Sequence, residues 1–171
     1  KTEILYNKYD IFKKLFSWYL YVGTLFFVFL IIQIFYNKRF IRVLNTFFTG
    51  GIVFLFGLHT AGLIARWFIS GHAPWSDAYE SMIYVAWATM LFGLLFGRKS
   101  KLTIAATSFV TAMILMIAHW NWMDPAIANL QPVLDSYWLM IHVAVIVGSY
   151  GPFALSMIIG IVSLVLMRLT T

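Results

Sequence analysis

The chain has 171 residues, of which 62% are hydrophobic and 11% charged, with a net charge of +6 and a mean hydropathy of +0.87. Soluble domains run near about 45–50% apolar and about 25% charged, so a soluble globular reading is excluded, and so is disorder over most of the length. The absence of cysteine excludes disulfides, thiolate zinc sites, iron–sulfur clusters and a cysteine nucleophile, and leaves His59, His72, His119 and His142 as the available transition-metal ligands.

A helix needs about 20 apolar residues to cross a bilayer core. Five stretches qualify in chain order: 15–35, 46–66, 78–97, 102–121 and 136–167. They predict an all-α, polytopic membrane protein: one helical segment over residues 1–171, with no internal repeat and no second domain. The fifth stretch is longer than the core requires, so part of it should project, and Gly151-Pro152 inside it predicts a kink. The start at Lys1, without a Met or a signal peptide, reads as a piece of a longer polypeptide.

The charges are lopsided. Lys38, Arg39 and Arg42 lie between the first two spans, Arg98, Lys99 and Lys101 between the third and fourth, and Arg168 after the fifth. The loops 70–77 and 122–135 carry no Lys or Arg. The positive-inside rule puts the basic connections in the cytoplasm, and both loops and the N-terminus outside. Lys1, Lys8, Lys13 and Lys14 then lie on the outer side. A large extracytoplasmic domain upstream would explain them, because long translocated domains cross largely regardless of charge. The basic residues sit at the ends of apolar runs, so their partner is the lipid bilayer and no nucleic acid is implied.

Counting about 20 residues outward from each cytoplasmic end gives depths. Arg66, Glu80 and His119 fall near the outer boundary, and His142 about five residues above the core. His59 falls roughly two turns inside it. Opposite charges at matching depth predict an Arg66–Glu80 ion pair, since either charge alone is costly near hydrocarbon. A haem-propionate contact is the alternative for Arg66. Trp18, Trp67, Trp75, Trp120, Trp122 and Trp138 all map to the outer face, and Trp87 lies near mid-span. This asymmetry predicts an aromatic platform suited to a flat, hydrophobic, partly wet ligand; a one-sided interfacial belt is the other reading.

The histidines divide by position. A neutral imidazole ligates haem iron, so His142 reads either as an axial ligand or as a hydrogen-bonded helix-interface residue. His59 shares a helix face with Arg66 and is an intramembrane ionisable group, functional or engaged in an interhelical hydrogen bond. His72, in Gly71-His72-Ala73-Pro74-Trp75, reads as a solvent-exposed loop histidine. His119 reads as an interfacial residue, with a second outer-face ligand as the alternative.

Two blocks resemble the CcsA family of cytochrome c biogenesis proteins, also called ResC, which includes the fused CcsBA synthases. Residues 59–82, HTAGLIARWFISGHAPWSDAYESM, resemble the versions with a Gly-His-Ala-Pro-Trp-Ser turn and a following Tyr-Glu. Residues 132–143, PVLDSYWLMIHV, followed by Ser149-Tyr150-Gly151, are similar to the family's Pro-x-Leu-x-Ser-x-Trp-Leu-x-x-His-Val block. With the Arg98-Lys99-Ser100 turn, the likeness spans most of 47–166.

The resemblance implies a multi-span haem handler. Such a protein takes haem b as its substrate, presents it at the outer face, and serves its attachment to the Cys-x-x-Cys-His motif of apocytochrome c. His142 matches the first of two outer-face histidines and is implied as an axial ligand of the haem iron. Joined to the residue readings above, the candidate haem-binding set is His142, Trp138, Trp120, Trp122 and Arg66. The implied partners are a CcsB/ResB-like protein or a fused upstream domain, and apocytochrome c. The implied location is the bacterial inner (cytoplasmic) membrane. The chain is expected to be part of a cytochrome c synthase, or haem lyase, and to be inactive as this segment alone.

The family's Trp-Gly-x-x-Trp-x-Trp-Asp motif, its second outer histidine and its later transmembrane histidine have no match in residues 1–171, and in the family they lie downstream. The chain therefore looks like the front part of the CcsA half. His119-Trp-Asn-Trp122-Met-Asp124-Pro has the wrong spacing for that motif, and His59 matches no family-wide ligand. Two other readings compete: a haem b membrane subunit of a respiratory complex, and a non-haem transporter or structural bundle.

Overall fold

The computed structural model describes residues 10–36, 39–119, 125–127 and 136–170. They form α1 (Ile11–Phe35), α2 (Arg39–Ser70), α3 (Ala78–Phe96), a 3-10 turn (Gly97–Lys99), α4 (Lys101–His119) and α5 (Tyr137–Thr170). All five α-helices are long and apolar enough to cross a membrane. Large apolar side chains such as Phe54, Phe68, Phe153 and Leu164 are exposed on the bundle's outside. A helix apolar all round needs a lipid or protein neighbour on every face, and the fold is that of an all-α, multi-pass membrane protein.

The expected spans are present, with shifted ends. α2 starts well before residue 46, so Arg39 and Arg42 lie inside the helix rather than in the connection. A helix keeps its internal backbone bonds beyond the hydrocarbon, while arginine stems carry their charges to water. α5 remains helical through Pro152.

Across the bundle the helices follow the order α2–α1–α4–α3–α5, with α2 closing lightly on α3. α1 buries Phe12, Leu15, Tyr19 and Phe26, which recur at helical spacing, while α4 buries Ala105, Ala112, Leu115 and Ala118. In lipid, close backbone approach replaces the hydrophobic gain that joins helices in water. Small residues permit that approach here. Gly23 faces Ser108 on α4, Gly93 faces Thr107, and Gly151 of α5 lies against the Ala88–Thr89 backbone. Ser108 Oγ also donates to the Tyr19 carbonyl at 3.1 Å.

The two ends of the bundle differ chemically. At one end Lys101 Nζ donates to Thr46 Oγ1 at 3.4 Å, which joins the start of α4 to the second turn of α2. At the opposite end His119 meets Asp10, and residues 71–77 turn between α2 and α3. The candidate site lies at this second end.

Candidate functional site

The turn between α2 and α3 is built by its own residues. Gly71 adopts φ +73°, a left-handed conformation that closes α2 cheaply only for glycine. Asp77 caps α3 by accepting from Glu80 N at 2.6 Å. The Asp-x-x-Glu spacing is that of a capping box, but Glu80 reaches elsewhere. Its Oε2 accepts from Ser76 N at 3.0 Å, and its Oε1 from Arg66 Nε at 2.8 Å. His72 Nδ1 lies 3.1 Å from Ser76 Oγ and 3.2 Å from the Ala73 carbonyl. The His72 side chain is 9% exposed, which corrects the expectation of a solvent-exposed loop histidine. The turn folds back over it, and Ser76 and Glu80 enclose it.

Arg66 is the centre of this end. Its side chain is 1% exposed and that of Glu80 is 0%, so the pair expected from matched depth is present and buried. Nη1 donates to the Pro125 carbonyl at 3.0 Å and Nη2 to the Ala126 carbonyl at 3.4 Å. Asp77 Oδ2 stands 3.9 Å from Nη2, and the guanidinium carbon lies 5.1 Å over the Tyr79 ring. One side chain thereby ties the 71–77 turn to the 125–127 segment. Burial holds the Asp77 carboxyl above its ordinary value, and the charge of Glu80 adds to the effect; the Glu80 amide, Arg66 and His72 oppose it.

Trp75 links the turn to α5. Its indole Nε1 donates to the Met140 carbonyl at 3.1 Å. Its ring stands edge-on to Trp67 at 5.9 Å and tilts against Tyr84 at 5.0 Å. Tyr84 stacks on Trp87 at 5.7 Å, and Trp87 on Phe56 at 5.8 Å. Trp87 Nε1 donates to Thr60 Oγ1 at 2.9 Å. These rings form a ladder from the turn down between α2 and α3. Of the expected aromatic platform, the structure brings Trp67 and Trp75 together. Trp138 is 78% exposed and lies edge-on to Tyr137 in the first turn of α5. Trp18 is exposed on α1. Trp120 and Trp122 lie outside the described residues.

His142 is exposed. The face of α5 that meets α3 is marked by Met140 at Trp75, Gly148 at Tyr84 and Gly151 at the Ala88–Thr89 backbone. At about 100° per residue, His142 emerges about 200° round from Met140, away from α3 and one turn after Trp138. The other three histidines are engaged elsewhere. His59 is fully buried, donates from Nε2 to the Ile83 carbonyl at 3.1 Å, and meets the Phe12 ring edge-to-face. This is the interhelical bond offered as one of its two readings. His119 has Nδ1 3.1 Å from the Leu115 carbonyl and Nε2 3.2 Å from Asp10 Oδ1, so both ring nitrogens are occupied by oxygens. A haem b subunit would need two facing histidines at one depth, and His59 and His142 do not supply them.

Sequence reasoning missed the Trp75–Met140 bond and the reach of Arg66 to two carbonyls. The Asp77-x-x-Glu80 spacing could have signalled the start of α3. No local pattern signals a contact across 65 positions.

Residues 75–170 match the family described as Cytochrome C assembly protein. The chain is 41% identical over 172 residues to Protein NrfI of Wolinella succinogenes, covering 97% of this chain and 18% of that protein. It is 35% identical over 121 residues to the cytochrome c biogenesis protein CcsA of Lobularia maritima, covering 68% of this chain and 37% of that protein. CcsA of Synechococcus sp. (strain CC9605) is 38% identical over 112 residues, covering 63% of this chain and 37% of its own length. The chain thus spans well under half the length of these relatives.

Proposed function

The chain belongs to the cytochrome c assembly protein family, and on that premise we propose that it helps present haem at the outer membrane face for covalent attachment to apocytochrome c. The observation that carries this reading is the placement of His142. It is exposed, near the N-terminal end of α5, on the face turned away from α3. A neutral imidazole there can donate a nitrogen lone pair to haem iron. Exposed Trp138, one turn earlier, offers a flat apolar surface beside it. Both side chains are open to approach, so the residues fit a large flat ligand that must later leave.

Haem is the substrate in this reading. The ligand has to be exchangeable, because the histidine of the Cys-x-x-Cys-His motif takes over the iron. An exposed position beyond the hydrocarbon suits that handover better than a buried one, since apocytochrome c arrives from water. Trp120 and Trp122 complete the proposed aromatic surroundings. Arg66 serves by fixing the turn and the 125–127 segment, its guanidinium being engaged by Glu80 and two carbonyls. The 70–77 and 122–135 loops and the N-terminus face outward from a bacterial cytoplasmic membrane. A CcsB-like protein or fused domain supplies the remaining part of the synthase.

The test is the absorption spectrum of the full-length protein purified from membranes. Wild type should carry haem, and His142→Gly should carry less or show an altered Soret band. Identical haem content and spectrum in the two would remove His142 from the site.

A further inference from the structure

We infer that Trp75 is a positioning residue: its indole N–H, bonded to the Met140 carbonyl, sets the height and rotation of the α5 end that bears His142. The inference rests on the reading of His142 as an iron ligand.

The end of α5 is a lever. From Tyr137 to Val147 no residue is buried. Further along α5, Gly148 faces the Tyr84 side chain and Gly151 lies against the Ala88–Thr89 backbone. His142 stands six residues above Gly148, about 9 Å along the axis. A tilt of about 10° about that point moves His142 by about 1.5 Å. Misplacement of about 1 Å can cost a reacting centre about a hundredfold. Above Gly148 the α5 residues are at most half-buried, so packing alone holds the ligand loosely and a directional contact further up tightens it.

Trp75 supplies it at Met140, two residues from His142 and on the opposite side of the helix. The carbonyl has a second lone pair, so it accepts the indole N–H without giving up its place in the helix. Trp75 is itself braced. Its own N–H donates to the Ala73 carbonyl at 2.9 Å, and its carbonyl accepts from Ser81 Oγ at 3.5 Å. Its ring is held against Trp67 and Tyr84. The next residue, Ser76, is fixed by Glu80, and Glu80 by Arg66. The buried ion pair thus reaches His142 through one indole. Groups that orient a metal ligand without touching the metal commonly change affinity or activity by about 10- to 100-fold when removed.

The experiment uses the full-length protein in membranes with a reporter apocytochrome c, and reads maturation per amount of membrane protein. Trp75→Phe keeps an aromatic ring, though a smaller one, and removes the N–H. It should lower maturation roughly tenfold and shift the haem spectrum, and added imidazole should restore much of the activity, because a free ligand does not depend on α5. With imidazole added, the double variant should be rescued as far as His142→Gly alone, since both act through one ligand. If Trp75→Phe matures cytochrome c like wild type while His142→Gly fails, the positioning role is refuted and the ligand reading stands. A loss in Trp75→Phe that imidazole leaves untouched, or a double variant that imidazole rescues less than His142→Gly, marks a packing residue and refutes it too. A fully active His142→Gly without imidazole overturns the ligand reading, and the role of Trp75 with it.

Discussion

Arg66 Nε and Glu80 Oε1 meet at 2.8 Å between α2 and α3, with both side chains removed from solvent. The same guanidinium holds the carbonyls of Pro125 and Ala126. Desolvating two charges is costly, and their attraction offsets that cost only when the remaining donors and acceptors are also satisfied. Here Glu80 uses its second oxygen on Ser76 N, and Arg66 uses both terminal nitrogens on carbonyls.

Removing one partner strands the other. Arg66→Ala should destabilise the bundle by roughly 3–5 kcal/mol, through the uncompensated Glu80 carboxylate. Arg66→Lys should recover little of this, since an ammonium lacks the planar fork that serves a carboxylate and two carbonyls together. Denaturant unfolding in detergent measures both. A loss below about 1 kcal/mol in Arg66→Ala would class the pair with exposed salt bridges.

Helix contacts give a second prediction. A Cβ on Gly93 would overlap Thr107, whereas one on Gly57 meets nothing. Gly93→Ala should cost about 1–3 kcal/mol, because α3 and α4 must separate. Gly57→Ala should cost nothing and can gain up to about 1 kcal/mol from the lower flexibility of the unfolded chain. The contrast between the two melting temperatures is the readout, and equal shifts would contradict the close crossing.

Much of this was legible beforehand because a bilayer imposes simple rules. Runs of about 20 apolar residues predicted five membrane-crossing helices, and the described residues form five long and apolar enough to cross. Depth matching predicted the partner of Arg66, because two charges in one thin layer have few alternatives. The extent of α2 was not legible: Arg39 and Arg42 look like loop residues by charge, yet the helix already begins at Arg39. His72 looked exposed because Gly-His-Ala-Pro carries no periodic pattern. Its enclosure depends on Ser76 and Glu80 folding back. The Trp75–Met140 bond had no sequence signal at all, because hydropathy ranks the indole as an interfacial ring and says nothing of where its N–H points.

Topology has a direct chemical readout. Ser136 and Ser100 are both exposed, beside the ends of α5 and α4 that face opposite ways. Ser136→Cys in intact cells should react with an impermeant maleimide, and Ser100→Cys only after the cytoplasmic side is opened. The reverse pattern would invert the proposed orientation.

Asp77 gives a pH dependence. Burial raises its carboxyl above the ordinary 3.8. Its charged form is therefore disfavoured in the folded state, so stability declines as pH rises from 3.8 through the raised value and is flat above it. The side chain is 35% exposed, so the slope is shallow. Asp77→Asn keeps an oxygen to accept from Glu80 N and removes the titration. Its melting temperature should lose this part of the pH slope between acid and neutral pH. An unchanged slope would assign the titration to another group.

The central claim is that His142 supplies the imidazole for haem presentation. The most direct measurement is cytochrome c maturation by His142→Gly in cells, with and without added imidazole. Glycine removes the side chain and leaves room at an exposed helix position for the free ligand. Maturation should be abolished in the variant and partly restored by imidazole, with wild type indifferent to the addition. Wild-type maturation by His142→Gly without imidazole would contradict the claim.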